Sequence, residues 1–180
     1  MPTEPWEQLR SEAALDHPHY RVRRDTIRLP NGRVVDDYLV GTLSDYSLVA
    51  AITEAHEVVL VRQWKQGVQR IVLDLPGGKI EAGETAVEAG LRELGEETGY
   101  AAASLELLGS FDVDASKAAN QGHGFLAVGA EKIYEPEPHE MEDPDVVLVP
   151  LAEIAGLIDH GEICGAVSVA ALLLTLQRLA

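Results

Sequence analysis

Glu93, Glu96 and Glu97 stand within five positions of one another and are the first residues that could do chemistry. In a helix, Glu93 and Glu97 share a face and Glu96 lies one step around it. Like charges at that spacing destabilise a helix by roughly 0.2–0.5 kcal/mol per pair. They also fall toward the helix C-terminus, where the dipole disfavours anions. Arg92 is the cation at hand, with Glu84 at the helix entrance or Glu96 one turn on as its partner. A solvated acidic face accounts for such a cluster. So does a hard-cation site, because clustered carboxylates suit Mg2+ or Mn2+, which take oxygen ligands and keep several waters.

The segment that positions these glutamates reads as a helix over residues 85–98. Thr85 followed by Glu88 fits a capping box, and Gly99 suits the left-handed position that ends a helix. Val87, Leu91 and Leu94 recur at helical spacing and predict the core stripe, with the glutamates on the opposite face. Gly90 and Gly95 inside the helix each cost about 1 kcal/mol relative to alanine, which predicts close packing beneath them. Residues 71–75 form a strand that runs into the hard break Pro76-Gly77-Gly78.

Elsewhere, residues 6–15 predict a short helix. Strands over 20–29 and 33–43 flank Pro30-Asn31-Gly32, where Asn-Gly is the strongest short hairpin signal. Further strands are expected over 47–52, 58–64, 105–113, 124–128 and 146–149. Helices are expected over 151–159 and 166–179, and a loop over 134–145. Strands outnumber a few separated helices, which argues for an α+β fold with a mixed sheet between helices.

Composition narrows the function. The chain is 46% hydrophobic and 24% charged, an ordinary globular balance. A formal charge of −16 repels phosphate backbones and anionic lipid, so neither nucleic acid nor membrane is an expected partner. An anionic substrate would need a local source of positive charge. Cys164 is the single cysteine, so no intrachain disulfide can form and a reducing cytoplasm is expected. Cys164 is expected to pack at the base of the last helix. The six histidines show no metal-ligand spacing, and Gly77-Gly78 is not followed by the Gly-Lys-Ser/Thr of a phosphate-binding loop.

Gly78, Glu84, Arg92, Glu93, Leu94, Glu96, Glu97, Gly99 and Tyr100 stand in the pattern G-x5-E-x7-R-E-U-x-E-E-x-G-U. Seven fixed residues at roughly 7% each match by chance on the order of 10⁻⁸ per register. The pattern resembles the signature of the Nudix hydrolases. Val61-Arg62-Gln63-Trp64 before it, and Gly161-Glu162-Ile163 before the last helix, resemble the ADP-ribose pyrophosphatase branch. The resemblance covers residues 20–180.

It implies a Nudix fold, with a box at 78–100, a hydrolase domain over 46–180 and an N-terminal β-rich extension over 1–45 that mediates a homodimer. It also implies Mg2+-dependent hydrolysis, with Mn2+ able to substitute, of the pyrophosphate bond in a nucleoside diphosphate linked to another moiety. ADP-ribose or a nucleotide sugar comes first; a free nucleoside di- or triphosphate, or a catalytically silent nucleotide-binding module, is the alternative. By the same resemblance Glu93 and Glu97 would be the principal metal ligands and Glu96 a third. The carbonyl of Gly77 would complete the shell, and Arg92 with Glu84 would brace the loop against the helix. A late-loop base is expected at Glu142, with Glu140 second. Arg62, Lys65 and Lys117 are expected near phosphate, and Trp64 and Tyr38 could stack on a base.

Overall fold

A computed structural model describes residues 4–136 and 144–180. The chain divides into two compact units. The first takes in residues up to Ser44 together with Asp112–Asn120, and the second Asp45–Phe111 together with residues from Gln121 onward.

The first unit is a three-stranded antiparallel sheet of β1 (Glu7–His17), β2 (Tyr20–Arg28) and β3 (Val34–Thr42), in that order. The expected helix over residues 6–15 is therefore a strand. Its Glu, Gln, Leu and Ala are good helix formers, but pairing with β2 along its whole length outweighs propensity. Ion pairs stitch the two strands: Arg28 to Glu7 at 2.6 Å, Arg21 to Asp16 at 3.0 Å, and Arg24 to Glu12. The Asn31-Gly32 hairpin forms as expected, with the Gly32 N–H donating to the Leu29 carbonyl at 2.8 Å. Asp25 is buried beside them and accepts from Ser11 at 2.6 Å and Arg23 at 2.9 Å. Burial pushes its carboxyl up, but those two bonds and the Arg23 charge outweigh it and hold the group below its ordinary range. Asp112–Asn120 joins this unit through backbone bonds between Gly41 and the Lys117 carbonyl at 2.6 Å and between Ala119 and the Gly41 carbonyl at 2.9 Å.

The second unit is a seven-stranded mixed sheet with helices on both faces. Its strands are β4 (Tyr46–Ile52), β5 (Glu57–Lys65), β6 (Arg70–Asp74), β7 (Gly77–Lys79), β9 (Glu106–Asp112), β10 (Gln121–Val128) and β12 (Asp145–Pro150). The order β12-β5-β4-β10-β9 holds the centre, with β10 parallel to β4. A small two-stranded sheet pairs β8 (Tyr100–Ala101) with β11 (Glu131–Lys132). β4 and β5 pair only at Ala51–Val59 and Ile52–Val58 and then diverge. Into that split run β6, paired with β5, and β7, paired with β4. Alternating apolar residues fill both faces. On one, Val49, Ala51, Val59, Phe125 and Ala127 pack with Leu94 of α1 (Ala86–Thr98). On the other, Leu48, Ala50, Leu60 and Leu126 pack under α2 (Ile154–Asp159) and α3 (Ala166–Leu179). Cys164 is exposed just before α3 instead of packed at its base, because Ile163 takes the inward position. Among the described residues no helix is long and apolar enough to cross a membrane.

Candidate active site

The site is built where α1 lies over the split in the sheet. Thr85 caps the helix: its Oγ1 accepts from the Glu88 N–H at 3.2 Å, and the Glu88 carboxylate accepts from the Thr85 N–H at 2.8 Å. That second bond comes first among the causes that hold the Glu88 carboxyl below its ordinary range. Ser47, fully buried in β4, donates to the Ala86 carbonyl at 2.7 Å and fixes the first helical turn on the sheet. Further along, Gly90 meets the sheet so closely that a Cβ there would lie 3.2 Å from Val49 and 3.0 Å from Leu105. Gly99, at φ 72°, ends the helix.

This small-residue approach turns the helix differently from the expected stripe. Ala89, Gly90, Leu94 and Thr98 face inward, whereas Val87 is exposed. Glu93 and Glu97 consequently flank the buried stripe next to Leu94 and Thr98 instead of lying opposite the core.

Both carboxylates meet the backbone of β7. Glu97 accepts from the Gly77 N–H at 2.8 Å. The Glu93 carboxylate occupies the space that a Cβ on Gly78 would fill. Gly77 has no room for a side chain either, because a Cβ there would run into the Ser47 carbonyl and Leu48. Arg92 locks the arrangement. Its Nε and Nη2 grip the two oxygens of Glu84 at 2.9 and 3.1 Å, and Nη2 also reaches the Lys79 carbonyl at 3.0 Å. Its Nη1 donates to Glu93 at 2.8 Å and to Glu96 at 2.9 Å. The Glu84 bonds, then those to Glu93 and Glu96, raise the Arg92 pKa against the opposing effect of burial. In return Arg92, with the Glu81 N–H, holds the Glu84 carboxyl below its ordinary range. Side-chain exposure is 15% for Glu93 but 60% for Glu96, so Glu96 is the outer member.

Among the described residues no group of three or more His, Cys, Asp or Glu side chains is gathered so that it could hold a metal ion by itself. The donor set at α1 nevertheless fits a hard cation. It is all oxygen, held on a rigid helix edge against a backbone cradle, and Mg2+ is commonly held by one or two carboxylates together with waters and substrate phosphates.

The remaining expected residues fall in different places. Tyr38 and Lys117 come together in the first unit: the Lys117 ammonium lies 3.8 Å from the Tyr38 ring centroid. The Tyr38 hydroxyl donates to the Ser116 carbonyl at 2.7 Å, and Trp6 meets the same ring edge-on at 5.8 Å. Arg62 and Trp64 lie on β5, where alternation puts them on the Leu60 face, away from α1. Trp64 is exposed and donates to Gln66 at 3.0 Å. Glu140 and Glu142 lie outside the described residues. Ser47 and the Lys79 carbonyl are not singled out by the sequence; the signal available for the first is a serine near the start of an otherwise apolar strand.

Comparison with known proteins places this geometry. Residues 45–165 match the NUDIX domain family, and residues 6–40 match the nucleoside diphosphate sugar hydrolase N-terminal domain. An ADP-ribose pyrophosphatase of Bacillus subtilis is 31% identical over 140 residues, 77% of this chain and 75% of the relative. An ADP-ribose pyrophosphatase of Mycobacterium tuberculosis is 28% identical over 171 residues, 93% of this chain and 82% of the relative. A crystal structure of an ADP compounds hydrolase superposes with a TM-score of 0.85 at 21% identity, covering 99% of this chain and 96% of that one. With the signature residues folded into one braced loop–helix unit and the domain match spanning most of the chain, the protein belongs to the Nudix hydrolase family, in its ADP-ribose pyrophosphatase-like branch.

Proposed function

We propose that this enzyme hydrolyses the pyrophosphate bond of an ADP-linked compound, ADP-ribose first and nucleotide sugars next, with Mg2+ as cofactor and Mn2+ able to replace it. The observation that carries this reading is the pair of carboxylates, Glu93 and Glu97, set against the Gly77-Gly78 backbone and braced by the Arg92–Glu84 fork. Glu93, Glu97, the Gly77 carbonyl and the outer Glu96 are the residues that would hold the cation. Bound there, the cation supplies positive charge for the phosphates and acidifies water at the site. The two glycines give up the space of a side chain to the Glu93 carboxylate and to the close approach of β4. Arg92 fixes the carboxylates before substrate arrives, so little reorganisation is needed during reaction. Glu142, or Glu140, would orient or deprotonate the attacking water. Lys117 is assigned to phosphate and Tyr38 to the base; Arg62 and Trp64, on the sheet face away from α1, take no part in that assignment. The names of the two relatives support ADP-ribose over a free nucleoside triphosphate. The N-terminal hairpin sheet, whose strand β1 lies at its edge, is the proposed homodimer element, and the cytoplasm the proposed compartment.

The test is a substrate panel with Mg2+ or Mn2+: ADP-ribose, nucleotide sugars, NADH, dinucleoside polyphosphates, and free nucleoside di- and triphosphates. Wild type should release monophosphates from ADP-ribose, and Glu97→Gln should lose more than about 100-fold. Turnover of free triphosphates alone would overturn the substrate; full activity in Glu97→Gln would overturn the site.

A further inference from the structure

Arg62, Arg70 and His160 line a cleft of about 170 Å3 on the second unit, together with Gly161, Glu162 and the β6 edge at Ile71–Leu73. Arg62 lies on β5, Arg70 opens β6, and His160 follows α2. The walls are joined by backbone bonds: the Leu73 N–H donates to the Glu162 carbonyl at 3.0 Å, and Leu73 bridges to Ile163. Gly161, at φ 73°, makes the tight turn that closes one side.

The charge here runs against its surroundings. The second unit carries twenty-one acidic residues and seven basic ones, yet two of the seven line this one small cleft. Among the described residues neither arginine is in an ion pair, although Asp145 stands opposite Arg62 in the β12–β5 ladder and Glu162 lines the cleft. Arg70 faces Lys65 directly across the β5–β6 ladder, and like charges in that position destabilise a sheet. Two guanidiniums and an imidazole suit a phosphoryl group, which the planar arginine fork binds through paired hydrogen bonds. The volume lies below the roughly 300–1,000 Å3 of sites that enclose a drug-sized ligand, so it suits a phosphoryl end and not a whole nucleotide.

We infer that this cleft is a phosphate-binding site, independent of metal and separate from the α1 carboxylates, for inorganic phosphate or the end of a phosphate monoester. Strand alternation supports the separation, since Arg62 shares the α2–α3 face while α1 covers the other.

The experiment is a titration of the 15N-labelled full chain in EDTA, first with inorganic phosphate and then with AMP, against sodium chloride at equal ionic strength. Phosphate should shift the amides of Leu73, Gly161 and Glu162 saturably, and chloride should not. Arg70→Gln should weaken binding about tenfold, the loss expected for one charged hydrogen-bonding group. His160→Gln should weaken it too, and Glu97→Gln should leave it intact. Tighter binding of AMP than of phosphate would identify the occupant as a monoester, and the reverse as free phosphate. An equal response to chloride, no saturable shift at these amides, or wild-type binding in both Arg70→Gln and His160→Gln would overturn the site. Because the titration contains no metal and needs no turnover, failure of the substrate assignment leaves its outcome readable.

Discussion

At the scale of single residues, Gly78 decides how near Glu93 can stand to the β7 backbone. A methyl group there would lie 2.5 Å from the Glu93 carboxyl carbon and 2.8 Å from its second oxygen. That obstacle is the mobile end of a side chain, so Gly78→Ala should fold but push the carboxylate out of register. Misplacement of a reacting-site group by about 1 Å can cost on the order of 100-fold in rate. The expected outcome for Gly78→Ala is therefore a kcat/KM reduced by about that factor, with a midpoint of thermal unfolding close to wild type. Steady-state kinetics and a melt of the same preparation measure both. Undiminished activity, or a collapsed fold, would show that the glycine serves something other than carboxylate placement.

At the scale of elements, the Arg92–Glu84 fork ties the loop after β7 to the middle of α1, and its strength depends on Glu84 staying ionised. The Arg92 hydrogen bonds, then the Glu81 N–H, hold Glu84 below its ordinary range. A depressed carboxyl contributes stability that is complete above its unfolded value, about 4.3, and is lost as pH falls through the lower folded value. Arg92→Gln removes that contribution. Its unfolding midpoint should thus lie below wild type at neutral pH, with the gap narrowing as pH drops under the ordinary carboxylate range. Melts from pH 7 down to pH 3 test this, and a gap constant across that span would assign the loss to packing. This brace was legible before any fold was known, because the spacing of Glu84, Arg92, Glu93, Glu96 and Glu97 is itself chemical. The capping box at Thr85, the Asn31-Gly32 hairpin and α3 were legible for the same reason: each is set by local sequence. β1 was not, because its helix-forming composition yields to pairing with a strand that carries four arginines. Nor was the orientation of α1, because Gly90 and Ala89 turn inward only once β4 lies beneath them. The face taken by Arg62 follows from the strand register, which residue type does not reveal.

At the scale of the whole molecule, the charge is unevenly shared. The first unit holds nine acidic and seven basic residues, three of each joined in cross-strand pairs; the second holds three acids for every base. With acids and bases nearly equal in number, the first unit has little to gain from a divalent cation. The second has the α1 carboxylates, and a cation that binds only the folded unit stabilises it by mass action, by about 2.7 kcal/mol at a concentration one hundred times Kd. At about 2–4 °C per kcal/mol for a chain of this size, the midpoint should rise by roughly 5–10 °C. The two tryptophans allow the units to be read apart, since Trp6 lies in the first and Trp64 in the second. In a Trp6→Phe background, fluorescence reports the second unit. Its midpoint should rise with MgCl2 beyond the effect of NaCl at equal ionic strength and fall back with EDTA, and adding Glu97→Gln should remove most of the increment. Equal effects of the two salts would mean that Mg2+ only screens the acidic surface, and an increment surviving Glu97→Gln would place the cation away from α1.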